Sequence, residues 1–317
     1  MILGGGPTAE MAGEALLSSR ARVLGYFLAS NEEPNHLLDG KILMNQGSLW
    51  ECARDLNIDE IVVALTERRG GSMPLQELLE CKIHGIKISD ISTHFEKVQG
   101  KIKLDHVKAG WLIFGEGFNN RIYHSIVKQI FDITSTLFLL TLTAPLILFT
   151  SILIKLDSKG PIFYRQERVG QEGKPYHVLK FRSMRTDAER DGVARWAVAN
   201  DDRVTRVGRV IRRFRIDELP QLLNILIGDM SLVGPRPERP VFVAELTRQI
   251  PYYEVRHSLK PGITGWAQVK YQYGSTLADS IEKLEYDLFY VKNHTLLLDL
   301  HILIQTVGVV LTGKGAR

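Results

Sequence analysis

Residues 137–154 read LFLLTLTAPLILFTSILI, and this apolar run decides the fold of the chain around it. The uncharged window extends over residues 133–154, which is 22 residues. As an α-helix it would be about 33 Å long, against roughly 30 Å for the hydrocarbon core of a bilayer. The alternative is a buried core helix, but the run is apolar on every face. The sequence therefore predicts a membrane segment at about residues 130–156.

A proline and the flanking charges bear on how this segment meets the membrane. Pro145 lies in its middle, where it removes one helical hydrogen bond and kinks the axis. Basic residues favour the cytoplasmic side of a membrane. They occur on both flanks, as Arg121 and Lys128 before the segment and as Lys155, Lys159, Arg165 and Arg168 after it. A re-entrant helix with both ends in the cytoplasm is therefore predicted over a spanning one.

Short apolar runs alternate with helical patterns before this segment, up to about residue 115. The strand-like runs are MIL, RVLGYFLA, EIVVALTE and IKISDI, and the helical ones are TAEMAGEALLSS, LWECARDLN and MPLQELLECKIHG. This alternation predicts a parallel, doubly wound sheet.

The first strand leads into GGGPTA, where Gly4, Gly6 and Ala9 form a G-x-G-x-x-A pattern. Such a turn offers backbone N–H groups to a pyrophosphate at a helix N-terminus. Pro7 interrupts the pattern, and Glu32 is only a loose candidate for the acid that binds ribose. A structural Rossmann-like domain is therefore favoured over a nucleotide site.

Bulk composition sets the class of protein. A length of 317 residues suggests about two domains, and 44% hydrophobic with 24% charged residues excludes disorder as the main state. The two cysteines, Cys52 and Cys81, form neither a disulfide framework nor a zinc site, which fits a reducing compartment. Met1 leads straight into ILGGGPTAE, so no signal peptide is expected.

Positive charge is concentrated after the apolar segment. Residues 203–215, RVTRVGRVIRRFR, hold six arginines and no acid, which indicates an anionic partner. Asp217 and Glu218 follow directly, and Arg236 lies between two prolines in GPRP. Arginines neutralise phosphate oxygens, whereas a carboxylate can attack phosphorus or hold a divalent cation. The combination points to phosphoryl transfer.

Two plainer interpretations stay open on spacing alone. The arginines follow a helical period and suit the solvated face of an amphipathic helix, and Asp217 suits a helix N-cap. The nearby apolar segment favours the chemical interpretation, because it suggests a phosphate carried by a lipid. Near the end, LLLDLHILIQTVGVVL is either a core helix or one at the membrane interface.

Residues 128–317 closely resemble the bacterial sugar transferase family, the monotopic polyprenyl-phosphate phosphoglycosyl transferases. The matching stretches are, in order, KQIFDI, the proline-broken segment, GPIFYRQERVG, KFRSM, NDDRVTRVGRVIRR, DELPQLLNILIGDMSLVGPRPE, YYEVRHSLKPGITGWAQV, YDLFYVKN and LDLHILIQT. Residues 1–118 look like the Rossmann-like, CoA-binding-like regulatory domain of larger members. The resemblance thus implies an α/β chain: a Rossmann-like doubly wound domain, then a mostly α, monotopic membrane catalytic domain.

The resemblance implies a reaction and its participants. A UDP-sugar, with UDP-glucose or UDP-galactose expected first, would donate its sugar-1-phosphate to undecaprenyl phosphate and release UMP. This step initiates exopolysaccharide, capsule or O-antigen synthesis. The resemblance also implies a bacterial inner-membrane enzyme whose catalytic domain lies on the cytoplasmic face. It implies a lipid bilayer and Mg²⁺ as partners, no nucleic acid as a partner, and a homodimer.

Site residues carry over motif by motif. Asp217 would be the nucleophile, and Glu218 would hold Mg²⁺. The phosphate-binding positions are Arg212, Arg236, Lys180 and Arg182, with Asp287 as a further site residue and Pro145 as the helix-breaking proline. Two departures stand out: Ala144 replaces a serine of some members, and the four transmembrane helices expected before the Rossmann-like domain are missing from this sequence.

Two other function classes remain as alternatives. A nucleotide-sugar oxidoreductase or epimerase would use the GGGPTA turn, but the first domain has no Tyr-x-x-x-Lys pair. A non-catalytic membrane adaptor would keep the fold without the chemistry. A nucleic-acid binder would need stacking aromatics, and Phe214 is the only aromatic in the arginine run.

Overall fold

The computed structural model describes residues 1–17, 22–28, 42–43, 47–65, 73–104, 122–188, 201–271, 274 and 276–312. The chain divides into two compact units, Met1–Val107 and Lys108–Arg317. Residues 105–121, where the predicted boundary between the two domains falls, lie outside the described ranges.

The first unit alternates strands and helices as its sequence pattern predicts. Its strands are β1 (Ile2–Leu3), β2 (Tyr26–Phe27), β3 (Glu60–Val63) and β4 (Lys87–Asp90). Its helices are α1 (Pro7–Leu17), α2 (Leu49–Asp55), α3 (Leu75–Ile83) and α4 (Ile91–Gln99). The sequence analysis assigned each of these elements except α4.

The strands form one parallel sheet in the order β2-β1-β3-β4. Successive residues of a strand point to opposite faces, so neighbours on β1 enter different cores. Leu3 packs with the buried residues of α2 and α3, whereas Ile2 packs with those of α1. Helices therefore cover both faces. The parallel α/β sheet is confirmed, and the Rossmann-like assignment stays a prediction.

The GGGPTA stretch forms the turn between β1 and α1. Gly4 has φ = +139°, and a Cβ there would lie 2.7 Å from the carbonyl oxygen of Ala64, so only glycine fits. Ala9 is fully buried in α1. These features explain the motif by packing. Nucleotide binding at this turn stays a prediction, and Glu32 lies outside the described residues.

The second unit is mostly helical. Its helices are α5 (Ile122–Asp157), α6 (Arg206–Arg213), α7 (Leu222–Ile227), α8 (Pro240–Gln249), α9 (Trp266–Lys270), α10 (Leu277–Asn293) and α11 (Leu296–Thr312). An antiparallel hairpin joins β5 (Phe163–Val169) to β6 (Pro175–Phe181), and β7 (Ser231–Val233) pairs in parallel with β8 (Gly262–Thr264).

Helix α5 contains the predicted membrane segment. It continues through Pro145, and hydroxyls nearby, such as Thr141 and Thr143, bond back to carbonyls one turn earlier. Among the described residues, its part Ser125–Asp157 is the one helix long and apolar enough to cross a membrane, and only 11% of its most apolar window is buried. The apolar helix is confirmed, whereas its re-entrant path stays a prediction.

The last helix, α11, combines the two alternatives that the sequence left open. Ile302 is fully buried in the main core of this unit, together with Trp266 and Tyr290. Leu297 is 81% exposed and Ile304 is 64% exposed. One face therefore belongs to the core, and the other presents apolar side chains to the surroundings.

Candidate active site

Three segments of the second unit meet around the carboxylate of Glu218. A 3₁₀ turn, Ile216–Gln221, carries Asp217 and Glu218, strand β6 carries Lys180, and the loop after β7 carries Arg236. Lys180 Nζ lies 3.1 Å from Glu218 Oε1, and Arg236 Nη2 lies 3.0 Å from the same oxygen. Arg215 Nη1 lies 3.6 Å from Oε2. Glu218 is thus buried among three cations.

The backbone between α6 and the 3₁₀ turn explains where the acid pair sits. Helix α6 ends at Arg213, and Arg215 takes a left-handed conformation with φ = 55°. Its carbonyl accepts the N–H of Glu218 at 3.2 Å, which starts the tighter turn in which Pro220 is accommodated. The sequence predicted a helix beginning at DELPQ. Instead a 3₁₀ turn precedes the short helix α7.

Asp217 is not a helix cap. The N-cap position of the 3₁₀ turn belongs to Arg215, with no side-chain capping bond, and that of α7 belongs to Gln221. The carboxylate of Asp217 makes no hydrogen bond or ion pair with any described residue. It is partly buried next to Glu218 and is therefore the carboxylate of the pair that is available to react.

The two adjacent carboxyl groups are shifted in opposite directions. Burial, reinforced by the charge of Glu218, raises the pKa of Asp217 to about 6, although Lys180, Arg212 and Arg236 act against the rise. Burial would also raise the pKa of Glu218, but its three cationic neighbours outweigh that effect and hold it well below its usual range. Burial lowers the pKa of the Lys180 ammonium, which Glu218 partly offsets. Glu218 is thus a fixed negative charge, and Asp217 is the group that titrates near neutrality.

Asn224 fixes Lys180 opposite the acid pair. Its side-chain oxygen accepts the N–H of Leu179 at 2.9 Å, and its amide donates to the carbonyl of His177 at 2.8 Å. These are bonds that a neighbouring strand would make to β6. Asn224 therefore ties α7, which follows the acid pair, to the strand that presents Lys180. The sequence analysis missed it, because only the folded chain brings residue 224 beside residue 179.

Two arginines, the buried Arg256 and the partly buried Arg168, hold the loop that presents Arg236. Arg256 Nη2 donates to the carbonyl of Arg236 at 2.9 Å, and Arg168 Nη1 donates to the carbonyl of Pro237 at 2.9 Å. Asp287 binds Arg256 through Nε at 3.0 Å and Nη2 at 2.7 Å. Burial raises the pKa of Asp287, although Arg256 opposes it. The predicted site residue Asp287 therefore lies behind the loop and acts through Arg256, a partner that the sequence did not reveal.

The other two predicted phosphate-binding residues have different surroundings. Arg212 lies on α6, where its charge favours the ionised form of Asp217, and its guanidinium has no hydrogen bond or ion pair with the described part of the chain. Arg182 is buried and directs its guanidinium to the end of α5, at 2.8 Å from the Ser158 carbonyl and 2.9 Å from that of Lys159. The structure does not bring Arg182 to the Glu218 cluster.

The carboxylates at the site limit how Mg²⁺ could bind. Among the described residues, no group of three or more His, Cys, Asp or Glu side chains is placed to hold a metal ion. Mg²⁺ is commonly held by one or two carboxylates together with substrate phosphates and water. The acid pair, Asp217 and Glu218, fits the arrangement with one or two carboxylates. It fits only with phosphate oxygens present as further ligands, because Glu218 already faces three cations.

Comparison with known proteins places the second unit in a family. A family model described as bacterial sugar transferase matches residues 123–313. The UDP-N-acetylgalactosamine-undecaprenyl-phosphate N-acetylgalactosaminephosphotransferase of Aeromonas hydrophila is 44% identical over 240 residues, 76% of this chain and 56% of that protein. The exopolysaccharide production protein PSS of Rhizobium leguminosarum bv. phaseoli is 44% identical over 200 residues, 60% of this chain and 98% of that protein.

A third relative shares the same region. The UDP-glucose:undecaprenyl-phosphate glucose-1-phosphate transferase of Escherichia coli (strain K12) is 41% identical over 195 residues, 60% of this chain and 41% of that protein. The matched region is thus about half of the Aeromonas relative and less of the Escherichia one. The predicted transferase class is confirmed, and neither the oxidoreductase nor the adaptor alternative is supported. The chain belongs to the bacterial sugar transferase family.

Proposed function

We propose that this protein transfers a sugar-1-phosphate from a UDP-sugar to undecaprenyl phosphate and releases UMP. The observation that carries the proposal is the acid pair: an ionised, triply paired Glu218 beside an Asp217 that has no partner in the described structure. Relatives named for the same kind of reaction, with UDP-glucose or UDP-N-acetylgalactosamine in their names, support it.

The charges around the acid pair suit a diphosphate. Lys180, Arg212, Arg215 and Arg236 supply four positive charges against two carboxylates. Two positive charges remain in excess, which matches the two negative charges of a UDP-sugar diphosphate. Guanidinium groups bind phosphate oxygens with two parallel N–H donors. Arg212 and Arg236 are therefore the proposed phosphate-binding arginines, and Lys180 is a further positive charge at the same site.

The proposed mechanism has two displacements at the same phosphorus. An oxygen of Asp217 attacks the β-phosphorus of the UDP-sugar, and the bond to the bridging oxygen breaks, so that UMP leaves with that oxygen and its electron pair. A phosphate oxygen of undecaprenyl phosphate then attacks the aspartyl-phosphosugar. The Asp217 carboxylate leaves unchanged, and undecaprenyl diphosphate-sugar is the product. Each step conserves total charge: the negative charge of the Asp217 carboxylate passes to the departing UMP in the first step and returns to Asp217 in the second. No external reductant or oxidant is needed.

We also propose Mg²⁺ as the cofactor, which Glu218 would hold together with the diphosphate oxygens of the donor, while Asp217 stays available to attack. When bound, it would neutralise charge that develops on the departing UMP. Removing divalent cations with EDTA should reduce UMP release to background, and added Mg²⁺ should restore it. Activity that persists after exhaustive chelation would contradict this cofactor.

The proposed location is the cytoplasmic face of the bacterial inner membrane, with α5 entering and leaving the same leaflet. The support is Pro145 at the middle of α5 and basic residues at both of its flanks. Single cysteines placed at Ser125 and Ser158, in a chain with Cys52 and Cys81 replaced by serine, should both react with an impermeant maleimide from one side of a vesicle. Reaction from opposite sides would instead show a spanning helix.

The central test is UMP release by the full chain reconstituted in bilayer nanodiscs with undecaprenyl phosphate. UDP-glucose, UDP-N-acetylgalactosamine and UDP-galactose should be offered separately, because the sugar is not fixed by the charges described above. The reaction is expected with at least one of them. No release of UMP from any donor would contradict the proposed function.

The nucleophile is tested in the same system without the lipid acceptor. A donor labelled with ³²P at the β-phosphate should leave label on the protein, and hydroxylamine should remove it, as for other acyl phosphates. Asp217→Asn should abolish both this adduct and UMP release. Asp202→Asn, which changes an exposed carboxylate, is the matched control and should behave as wild type. A fully active Asp217→Asn variant would contradict the assignment.

A further inference from the structure

A second cluster of charged residues lies away from the acid pair, at the beginning of α5. Lys128 Nζ is 2.8 Å from Asp132 Oδ1 and 2.9 Å from Asp299 Oδ2. The other oxygen of each carboxylate accepts a hydroxyl: Ser231 donates to Asp132 at 2.7 Å, and Tyr290 donates to Asp299 at 2.7 Å. All four carboxylate oxygens therefore have a donor.

The two carboxylates of this cluster, the Lys128 network, are buried, and Lys128 is partly buried. Asp132 is 6% exposed, and Asp299 is 1% exposed. A buried ion pair gives little net stability compared with apolar side chains of the same size, but its geometry is strict when every polar atom is satisfied. The role of the network is therefore better judged from the elements that it joins than from its contribution to stability.

The network joins four elements of the second unit, α5, β7, α10 and α11. Lys128 and Asp132 lie on α5, and Asp299 lies on α11. Ser231 begins β7, and the hydroxyl oxygen of Tyr290 on α10 lies 3.0 Å from the carbonyl oxygen of Val233, the last residue of β7. The loop with Arg236 starts at the next residue, Gly234. The network thus fixes the strand from which the Arg236 loop emerges to the first turns of the apolar helix.

We propose that Lys128, Asp132 and Asp299 are positioning residues that set the place of the Arg236 loop against Glu218. Arg236 lies three residues beyond β7, and its guanidinium meets Glu218 at 3.0 Å. Arg256 and Arg168 hold the far side of this loop, and the network holds the strand that feeds it. The inference rests on the proposed function only for its activity measurement.

The test uses the full chain in nanodiscs and two measurements. Lys128→Met leaves two buried carboxylates facing each other, so amide hydrogen exchange at residues 234, 236 and 238 should become about tenfold faster, which corresponds to about 1.4 kcal/mol. UMP release should fall about tenfold in kcat/KM. Lys128→Arg keeps the charge and should stay within about twofold of wild type. The milder Asp132→Asn should shift both measurements in the same direction if Lys128→Met does not fold.

Two further variants separate positioning from simple loss of stability. Adding Asp132→Asn to Lys128→Met removes one of the two negative charges that repel each other. The double variant should therefore recover part of the lost exchange protection and part of the lost kcat/KM, because the effects of neighbouring substitutions are not additive. Ile302→Val removes a methyl group in the same core, one turn from Asp299. At a comparable fall in melting temperature it should leave exchange at residues 234–238 and kcat/KM unchanged.

Some results would overturn the inference. Unchanged exchange at residues 234–238 in both Asp132→Asn and Lys128→Met would do so, as would an Ile302→Val variant that speeds exchange there as much as they do. Hydrogen exchange needs no turnover, so the outcome stays decisive even if wild-type protein releases no UMP. If the wild-type protein releases no UMP, that result would contradict the proposed function and would leave the inference about the Lys128 network unaffected.

Discussion

At the scale of the single residue, two adjacent acids have opposite electrostatic surroundings. Glu218 is paired with three cations, whereas Asp217 is partly buried beside Glu218 and has no partner in the described structure. A pair of carboxyl groups whose environments separate their pKa values is typical of sites in which the two have different roles. Here the constant charge belongs to Glu218, and the proposed reactive oxygen belongs to Asp217.

The pKa of Asp217 gives a pH prediction. Attack needs the ionised carboxylate, and its pKa is about 6, so kcat/KM should be constant above this value and fall as the pH drops through it. At pH 5 we expect about a tenfold lower kcat/KM than at pH 7. Initial rates of UMP release between pH 5 and pH 8 measure this.

The variant Arg212→Gln sharpens that experiment. Arg212 is one of the cations that lower the pKa of Asp217, so its removal should move the acidic limb of the profile to higher pH. Arg209→Gln, an exposed arginine on the same helix, is the control and should leave the limb in place. A limb that does not move in Arg212→Gln would contradict the link between Arg212 and Asp217.

Asp287 offers a prediction about stability. Asp287→Asn would leave the buried Arg256 guanidinium without its counter-charge, and breaking such a pair typically costs about 3–5 kcal/mol. The melting temperature should therefore fall clearly. Because Arg236 should also lose its support, kcat/KM should be lower than in wild type even at temperatures where the variant is still folded. Glu172→Gln removes half of an exposed ion pair with Lys174 and should change neither quantity. Wild-type behaviour of Asp287→Asn would contradict the role of Asp287.

At the scale of the element, the contacts of Arg182 are with a helix end, and we expect it to act there rather than on substrate. The last carbonyls of an α-helix have no helical donors, and Arg182 supplies donors to Ile154, Ser158 and Lys159. Arg182→Met should therefore destabilise the second unit by about 2 kcal/mol or more, measured by thermal unfolding. The KM for UDP-sugar should stay near wild type in the protein that remains folded. A selective rise in KM with unchanged stability would restore the phosphate-binding role.

Helix α6 has a basic face that the site does not use. Arg206, Arg209 and Arg213 are exposed, and the neighbouring Val210 and Phe214 are exposed apolar residues. Near an anionic membrane each such cation contributes about 1 kcal/mol. Replacing the three arginines with glutamine should slow association with vesicles rich in phosphatidylglycerol, and added salt should remove the difference. An equal difference on phosphatidylcholine vesicles would contradict this role.

Local pattern predicted most elements and misplaced a few. The apolar run and the arginine-rich run have strong length or periodicity, so helices α5 and α6 were recognisable. Helix α4 was missed because ISTHFEKVQ is short and mixed in polarity. The 3₁₀ turn was missed because it depends on the left-handed Arg215, a conformation that no sequence pattern indicates for arginine.

At the scale of the whole molecule, the chain consists of two units of different character. The second unit holds the acid pair, its cations and the Lys128 network, and the Rhizobium relative is matched over 98% of its own length by 200 residues of this chain. A protein reduced to residues 108–317 should therefore keep kcat/KM within about threefold, since the residues that hold the site stay together. Loss of UMP release with the unit still folded would show that residues 1–107 contribute to catalysis.

The sequence predicted the site less completely than the units. Lys180, Asp217, Glu218 and Arg236 follow from motifs, and they meet in space. Asn224, Arg256 and the Lys128 network depend on contacts between residues that are far apart in the chain, from 31 residues for Arg256 and Asp287 to the ion pair of Lys128 with Asp299, which spacing in one sequence does not report. The predicted homodimer and the predicted domain boundaries stay predictions.

Strand β6 carries two residues with separate tasks close to one end. Lys180 faces Glu218, and Arg182, just past the strand, grips the end of the apolar helix. Two residues of extended chain span about 7 Å. With α5 in the bilayer as proposed, this short stretch of extended backbone would fix the distance between the acid pair and the hydrocarbon core, so that the acid pair lies at the level of the lipid headgroups. An isoprenoid phosphate could then react while its tail stays fully immersed.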